Sequence, residues 1–206
     1  MTTLGRWSRI MPAALYVLAA SAFGEAVAVG GRTPSLAQAA APGWPQWQGP
    51  RRDGVSEEKG LLQTWPEGGP RLLWKAAGIG RGFSSPVVSG GAIYITGDTE
   101  TELVISSFTT DGQPRWRTVS GAAWKKNFPG SRASCCFDGG QVYHLNAYGV
   151  LVCLNAETGA KIWGVNLLAR YEAKNITWGI SESVLVHAVA VYQHGLANAP
   201  GDVLRL

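Results

Sequence analysis

At 206 residues the chain is long enough for one domain of ordinary size, with 46% hydrophobic and 16% charged residues, 27 Gly and 9 Trp. That mix excludes a disordered chain, which needs high charge and few aromatics. The formal net charge of +4 gives no reason to expect a nucleic-acid partner, because the Lys and Arg residues are scattered.

The first 39 residues read as an export signal and flexible leader. Arg6 and Arg9 form a positive start, an apolar run follows from Ile10 to Phe23, and small residues offer A-x-A cleavage sites at Ala26-Val27-Ala28 and Ala37-Gln38-Ala39. The apolar run is shorter than the about 20 residues a spanning helix needs, with an uncleaved anchor as the alternative. Cleavage would leave 15 basic against 13 acidic residues. The expectation is a periplasmic or secreted protein with no membrane span once the signal is removed.

Residues 40–206 carry internal repetition. One unit runs Ser85-Pro86-Val87-Val88-Ser89-Gly90-Gly91-Ala92-Ile93-Tyr94, then Leu103-Val104-Ile105, then Asp111-Gly112 to Trp116. The next runs Ser134-Cys135-Cys136-Phe137-Asp138-Gly139-Gly140-Gln141-Val142-Tyr143, then Leu151-Val152-Cys153-Leu154, then Thr158-Gly159 to Trp163. The Gly-Gly pairs and the Tyr residues recur 49 apart, the closing Gly and Trp 47 apart; the difference is expected in the middle hairpin. Each unit reads as four short strands. The Gly-Gly pairs supply positive φ for a first hairpin turn, and turns are expected at 98–102 and 147–149, then at 111–112 and 157–159.

A repeated four-stranded sheet of this length is the pattern of a propeller blade, and such blades must stack to bury their faces. The expected fold is all-β: a partial β-propeller with two complete four-stranded blades, at about residues 80–120 and 130–168, plus fragments of neighbours. Trp74, Trp116 and Trp163, with Gly159 in the last turn, are the structural residues of the repeat, each Trp large enough to wedge between blades. A third unit enters in register at 181–186. It then meets His187-Ala188-Val189 where Gly is due, and the tail through Leu206 reads as having lost the repeat. A truncated or frame-shifted reading frame is expected, a natural short form being the alternative. Exposed sheet faces and edges would leave 40–206 marginal or prone to aggregate.

Leu154-Asn155-Ala156-Glu157-Thr158-Gly159-Ala160-Lys161-Ile162-Trp163 resembles the core of the repeat found in pyrroloquinoline-quinone (PQQ) type propellers. The opening Trp44-Pro45-Gln46-Trp47-Gln48-Gly49-Pro50-Arg51-Arg52-Asp53-Gly54 is similar to the start of secreted, BamB-like propellers with this repeat. The resemblance implies a ring of about seven or eight blades. It implies no single activity, since enzymes and scaffolds share the repeat. In PQQ-dependent alcohol dehydrogenases an adjacent Cys pair lies against the quinone, so Cys135 and Cys136 become candidate cofactor-binding residues, with PQQ and Ca²⁺ as the implied cofactors. A vicinal disulfide and two buried thiols are the alternative readings.

Cys153 sits in an apolar strand and reads as core. His144, His187 and His194 share no metal-ligand spacing, and no Ser-His-Asp set or phosphate loop occurs. Lys125, Lys126, Arg132 and Trp178 lie in segments that lead into a blade's first strand, where propellers usually bind ligands. They are the expected partner contacts, with Trp124 and Phe128 covering that rim. The leading expectation is an exported scaffold that binds protein or envelope partners without a cofactor. The alternative is a truncated PQQ-dependent dehydrogenase acting on alcohols or sugars.

Overall fold

Short runs of β-branched and aromatic residues, punctuated by paired turn residues, fold into two four-stranded antiparallel sheets in the computed structural model, which describes residues 43–187, 190–193 and 202–205. The export signal expected over 1–39 and His194 lie outside the described residues. The first sheet takes β1 (Val87–Ser89), β2 (Ala92–Asp98), β3 (Glu102–Thr109) and β4 (Pro114–Ala122) in the order β1-β2-β3-β4. The second repeats it with β5 (Cys136–Asp138), β6 (Gln141–Leu145), β7 (Val150–Asn155) and β8 (Lys161–Asn166). These are two blades of a partial β-propeller. A one-turn helix, α1 (Leu167–Arg170), follows, its first turn capped by Asn166 Oδ1 accepting from the Ala169 N–H at 3.0 Å.

The tail departs from the sequence expectation. β9 (Leu185–His187), β10 (Ala190–Gln193) and β11 (Asp202–Arg205) form a third antiparallel sheet in the order β11-β10-β9. Val87 pairs with Tyr94, Cys136 with Tyr143, and Leu185 with Tyr192, so the 49-residue register persists through Tyr192. The missing Gly pair hid this continuation. Strand-forming Ala190-Val191-Tyr192 supplies the pairing partner for β9 whatever residues make the turn.

The 47-against-49 difference also has a finer origin than one hairpin. Tyr94 pairs with Ser107 but Tyr143 with Cys153, so the first sheet's middle hairpin is longer. Its next turn is shorter: the Thr109 N–H bonds the Gln113 carbonyl, where the Asn155 N–H must reach Ala160.

The core lies between blades. Val87, Tyr94, Leu103 and Ile105 of the first sheet bury against Cys135, just before β5, and Val142, Val152 and Leu154 of the second sheet. Tyr143, Leu145, Leu151 and Cys153 bury against Leu167, Ile180 and Val184. Two Trp residues bridge to the following sheet. Trp116 Nε1–H donates to the Ala156 carbonyl at 3.0 Å, and Trp74 Nε1–H to Thr110 at 3.0 Å, the matching residue one blade earlier. A Cβ on Gly159 would come within 2.6 Å of the Trp116 ring, and one on Gly112 within 2.5 Å of the Trp74 ring. Both glycines also hold φ near +71° and +89°, so only Gly meets both demands. A register shift precedes the Trp of each four-stranded sheet. Ser107 pairs with Trp116 but Phe108 with Pro114, and Cys153 pairs with Trp163 but Leu154 with Lys161. At Trp116 the bulge turns the indole toward the neighbour.

The inner edges are linked too. The Ser85 N–H donates to Ser134 Oγ and the Ser134 N–H to Ser183 Oγ, each at 2.9 Å. A strap at 44–54 crosses all three first strands. Trp44 exchanges two backbone bonds with Val88, the Pro45 carbonyl accepts from Phe137, and Arg52 reaches the Ser183 and Val184 carbonyls at 3.3 Å. These bonds occupy edge groups that would otherwise template foreign strands.

Removing the Trp116 ring should cost more than removing Trp74, which is 36% exposed. Trp116→Ala is expected to destabilise by about 3–5 kcal/mol, and Gly159→Ala by roughly 1–3 kcal/mol through strain at positive φ. Urea midpoints of the full chain measure both. A larger loss for Trp74→Ala than for Trp116→Ala would contradict the docking assignment.

Candidate functional site

The links between blades and the middle hairpin turns gather at one rim. Residues 123–135 connect β4 to β5, and residues 167–184 connect β8 to β9. The Ala123 N–H bonds the Thr101 carbonyl, the Leu167 N–H that of Gly149, and the Ile180 N–H that of Ala147, which ties each link to a hairpin turn.

Trp124 is the hub of this rim. Its side chain is buried, its indole N–H donates to the Asn127 carbonyl at 2.9 Å, and its ring centroid lies 5.2 Å from that of Tyr148. The far edge of the ring rests on Gly179 of the second link, so one side chain touches both links and a turn. Its backbone N–H donates to Asp98 Oδ2 at 2.8 Å. Burial raises the Asp98 pKa, and the Trp124 N–H and the charge of Arg132 act against that rise. Asp98 therefore anchors the start of the link. The sequence places it only at the start of a turn expected at 98–102, whereas it ends β2.

Two cations sit by the Trp124 ring: Lys126 Nζ at 5.6 Å and the Arg132 guanidinium at 5.5 Å. Arg132 Nη2 also donates to the Asn127 and Phe128 carbonyls at 2.5 and 2.8 Å. Arg132 thus clamps the loop from within and positions its tip. That tip is Phe128, held at φ +50° in the left-handed region that a bulky residue avoids. Its ring is 64% exposed and stands 5.8 Å from the ring of Trp178, itself 53% exposed. Lys125 and Lys126 are exposed alongside. Of the expected partner residues, Arg132 and Lys126 meet at Trp124, Trp178 meets Phe128 across the two links, and Lys125 faces solvent on the same loop.

Cys135 and Cys136 are buried and carry no disulfide in this structure. Burial pushes the Cys135 pKa up strongly and that of Cys136 up to about 11. As neighbours in an extended chain they face opposite sides: Cys135 packs into the core with Val87 and Tyr94, Cys136 into the core with Tyr143 and Val184. A quinone laid against both sulfurs would have to occupy two cores at once. Among the described residues no group of three His, Cys, Asp or Glu side chains gathers as metal ligands. Cys153 Sγ donates to Gln141 Oε1 at 3.3 Å within the core. No helix among the described residues is long and apolar enough to cross a membrane.

His144 is fully buried in β6, and neither ring nitrogen makes a well-formed hydrogen bond among the described residues. Burial pushes its pKa down to about 4, opposed only in part by the Ala133 carbonyl. The folded value lies below the unfolded one, so the unfolded chain binds the extra proton. Stability from this group is complete above pH 6.5 and falls as the pH drops toward 4.

Over residues 55–182 the chain matches the family model described as outer membrane protein assembly factor BamB. No curated protein matches it. Among solved structures it is similar to a europium-containing methanol dehydrogenase, at 18% identity and a TM-score of 0.45, over 59% of this chain and 22% of that one. It is also similar to the quinohemoprotein alcohol dehydrogenase ADHIIG of Pseudomonas putida HK5, at 20% identity and a TM-score of 0.41, over 56% and 17%. A third is the quinohemoprotein alcohol dehydrogenase of Comamonas testosteroni, at 21% identity and a TM-score of 0.40, over 55% and 17%. The chain spans about a fifth of the length of these proteins.

Between pH 7 and 5 the chain should lose about 2 kcal/mol of stability to His144. In His144→Ile, which installs the residue type of Ile95 one repeat earlier, that loss should shrink below about 0.5 kcal/mol. Denaturant titrations at the two pH values measure it, and an unchanged loss in the variant would remove His144 as the cause.

Proposed function

Because the chain belongs to the family described as outer membrane protein assembly factor BamB, we propose that it acts as a non-catalytic, exported β-propeller scaffold whose rim binds a protein of the cell envelope. One observation carries this reading. The exposed Phe128–Trp178 pair joins two inter-blade links and is held in place from below by Trp124 and Arg132. Aromatic anchors that are fixed before binding cost little entropy to use, which is how protein interfaces concentrate their affinity.

Each part has a role in that reading. Asp98 and the Asn127 carbonyl fix Trp124; Trp124 supports the loop; Arg132 holds the tip carbonyls; Phe128 and Trp178 make the contact. Lys125 and Lys126 supply charge at the edge. Export rests on the basic and apolar start of the sequence together with the family. The Cys135–Cys136 pair serves the two cores it fills, and no step of a quinone reaction is assigned to it.

Two measurements test the proposal. Titrating the full chain with PQQ and Ca²⁺ should give no saturable absorbance change; a saturable one would favour the quinoprotein alternative. A photoreactive phenylalanine replacing Trp178 should give protein adducts in the cell envelope, and one replacing the exposed Val119 of β4 should not. Equal adducts at both positions, or none at 178, would remove the rim as the binding face.

A further inference from the structure

We infer that the rim selects an acidic polypeptide segment bearing an aromatic or large apolar side chain. This rests on the scaffold reading and gives its partner a chemistry. The 123–135 link has three basic residues, Lys125, Lys126 and Arg132, and no acidic one. The 123–135 link therefore presents positive charge without internal compensation, while in the second link Arg170 and Lys174 are balanced by Glu172 and Glu182.

The apolar element lies beside this charge. Phe128 and Trp178 meet at a tilt of 39°, leaving both rings more than half exposed, and Ile176 is exposed on the same link. Arg132 is already spent on the Asn127 and Phe128 carbonyls, so the exposed Lys125 and Lys126, the latter beside the Trp124 ring, are the cations left for a partner. A segment that seats a Phe or Leu on the aromatic pair brings its neighbouring carboxylates toward those lysines. Charge complementarity at the edge then sets partner choice and encounter rate, and the aromatic pair sets the lifetime.

An anionic lipid surface has related chemistry, but lipid-binding basic clusters hold roughly four to eight Lys or Arg residues. Two lysines with one aromatic pair suit a peptide better.

The test uses the full chain and three labelled peptides read by fluorescence anisotropy. One alternates Asp with Phe, one replaces each Asp by Lys, and one replaces each Phe by Ala. The Asp-Phe peptide should bind at least roughly tenfold more tightly than either control, and more weakly as salt rises. Lys125→Glu with Lys126→Glu should abolish or reverse the preference for Asp over Lys. Phe128→Ala with Trp178→Ala should weaken the Asp-Phe peptide by roughly tenfold or more. All four positions are exposed, and unchanged circular dichroism spectra establish that each variant is folded. Equal binding of the Asp and Lys peptides, no binding at about 1 mM, or variant-sensitive binding to phosphatidylglycerol vesicles in place of the peptides would overturn the inference. If protein adducts form at position 178 while the Asp-Phe peptide does not bind, the scaffold reading stands and the acidic partner falls. If neither occurs, both fall.

Discussion

The arrangement depends on one contact: an indole of one blade laid on the bare backbone of the next blade's last turn. Trp116 does this on Gly159 and donates to the Ala156 carbonyl; Trp74 does the same on Gly112 and Thr110. Both contacts share two features: a turn residue without a side chain to receive the ring, and a carbonyl turned toward the indole nitrogen. At Trp116 a bulge also aims the ring. A single sheet has no other side chain of that size with a hydrogen-bonding tip at its outer strand. The blade-to-blade angle follows from this contact, and with it the two interior cores and the alignment of the links along one rim.

The rim illustrates where such a repeat fold leaves room for variation. Strand edges and faces are committed to packing, so variation is left to the links. Here one link buries a large aromatic residue, Trp124, which then organises charged and apolar groups above it. Phe128 keeps an unfavourable backbone angle because Arg132 holds the carbonyls of Asn127 and Phe128. Local strain of order 1–3 kcal/mol is sustained by the surrounding bonds and is spent on keeping a ring in solvent.

Much of this was legible in the sequence. The Gly-Gly pairs, the Tyr spacing and the closing Gly and Trp located the four strands of both sheets, because turns and docking contacts demand particular residue types. Tyr192 was legible as well, 49 residues beyond Tyr143, but the absence of Gly at the preceding turn obscured it. The strap at 44–54 could not be placed from its own residues, since its bonds are mostly backbone ones that any sequence can make. Likewise, adjacency of Cys135 and Cys136 said nothing about which way each thiol points. In an extended strand neighbours face apart, and here that separates them into different cores. The position of Lys125, Lys126, Arg132 and Trp178 in segments before a first strand is legible in the sequence. The division of labour among them, with Arg132 turned inward, needed coordinates.

The serine chain Ser85–Ser134–Ser183 has a consequence for how such a molecule can change over time. All its bonds run in one direction, each amide reaching the hydroxyl of the following unit, and each requires the same arc length near the axis. An insertion close to the axis would throw every later hydroxyl out of reach. Farther from the axis, where the two sheets already differ in hairpin and turn length, an added residue only lengthens a loop. Tolerance to insertion thus grows with radius, so new specificities should accumulate at the periphery while the hub keeps its count.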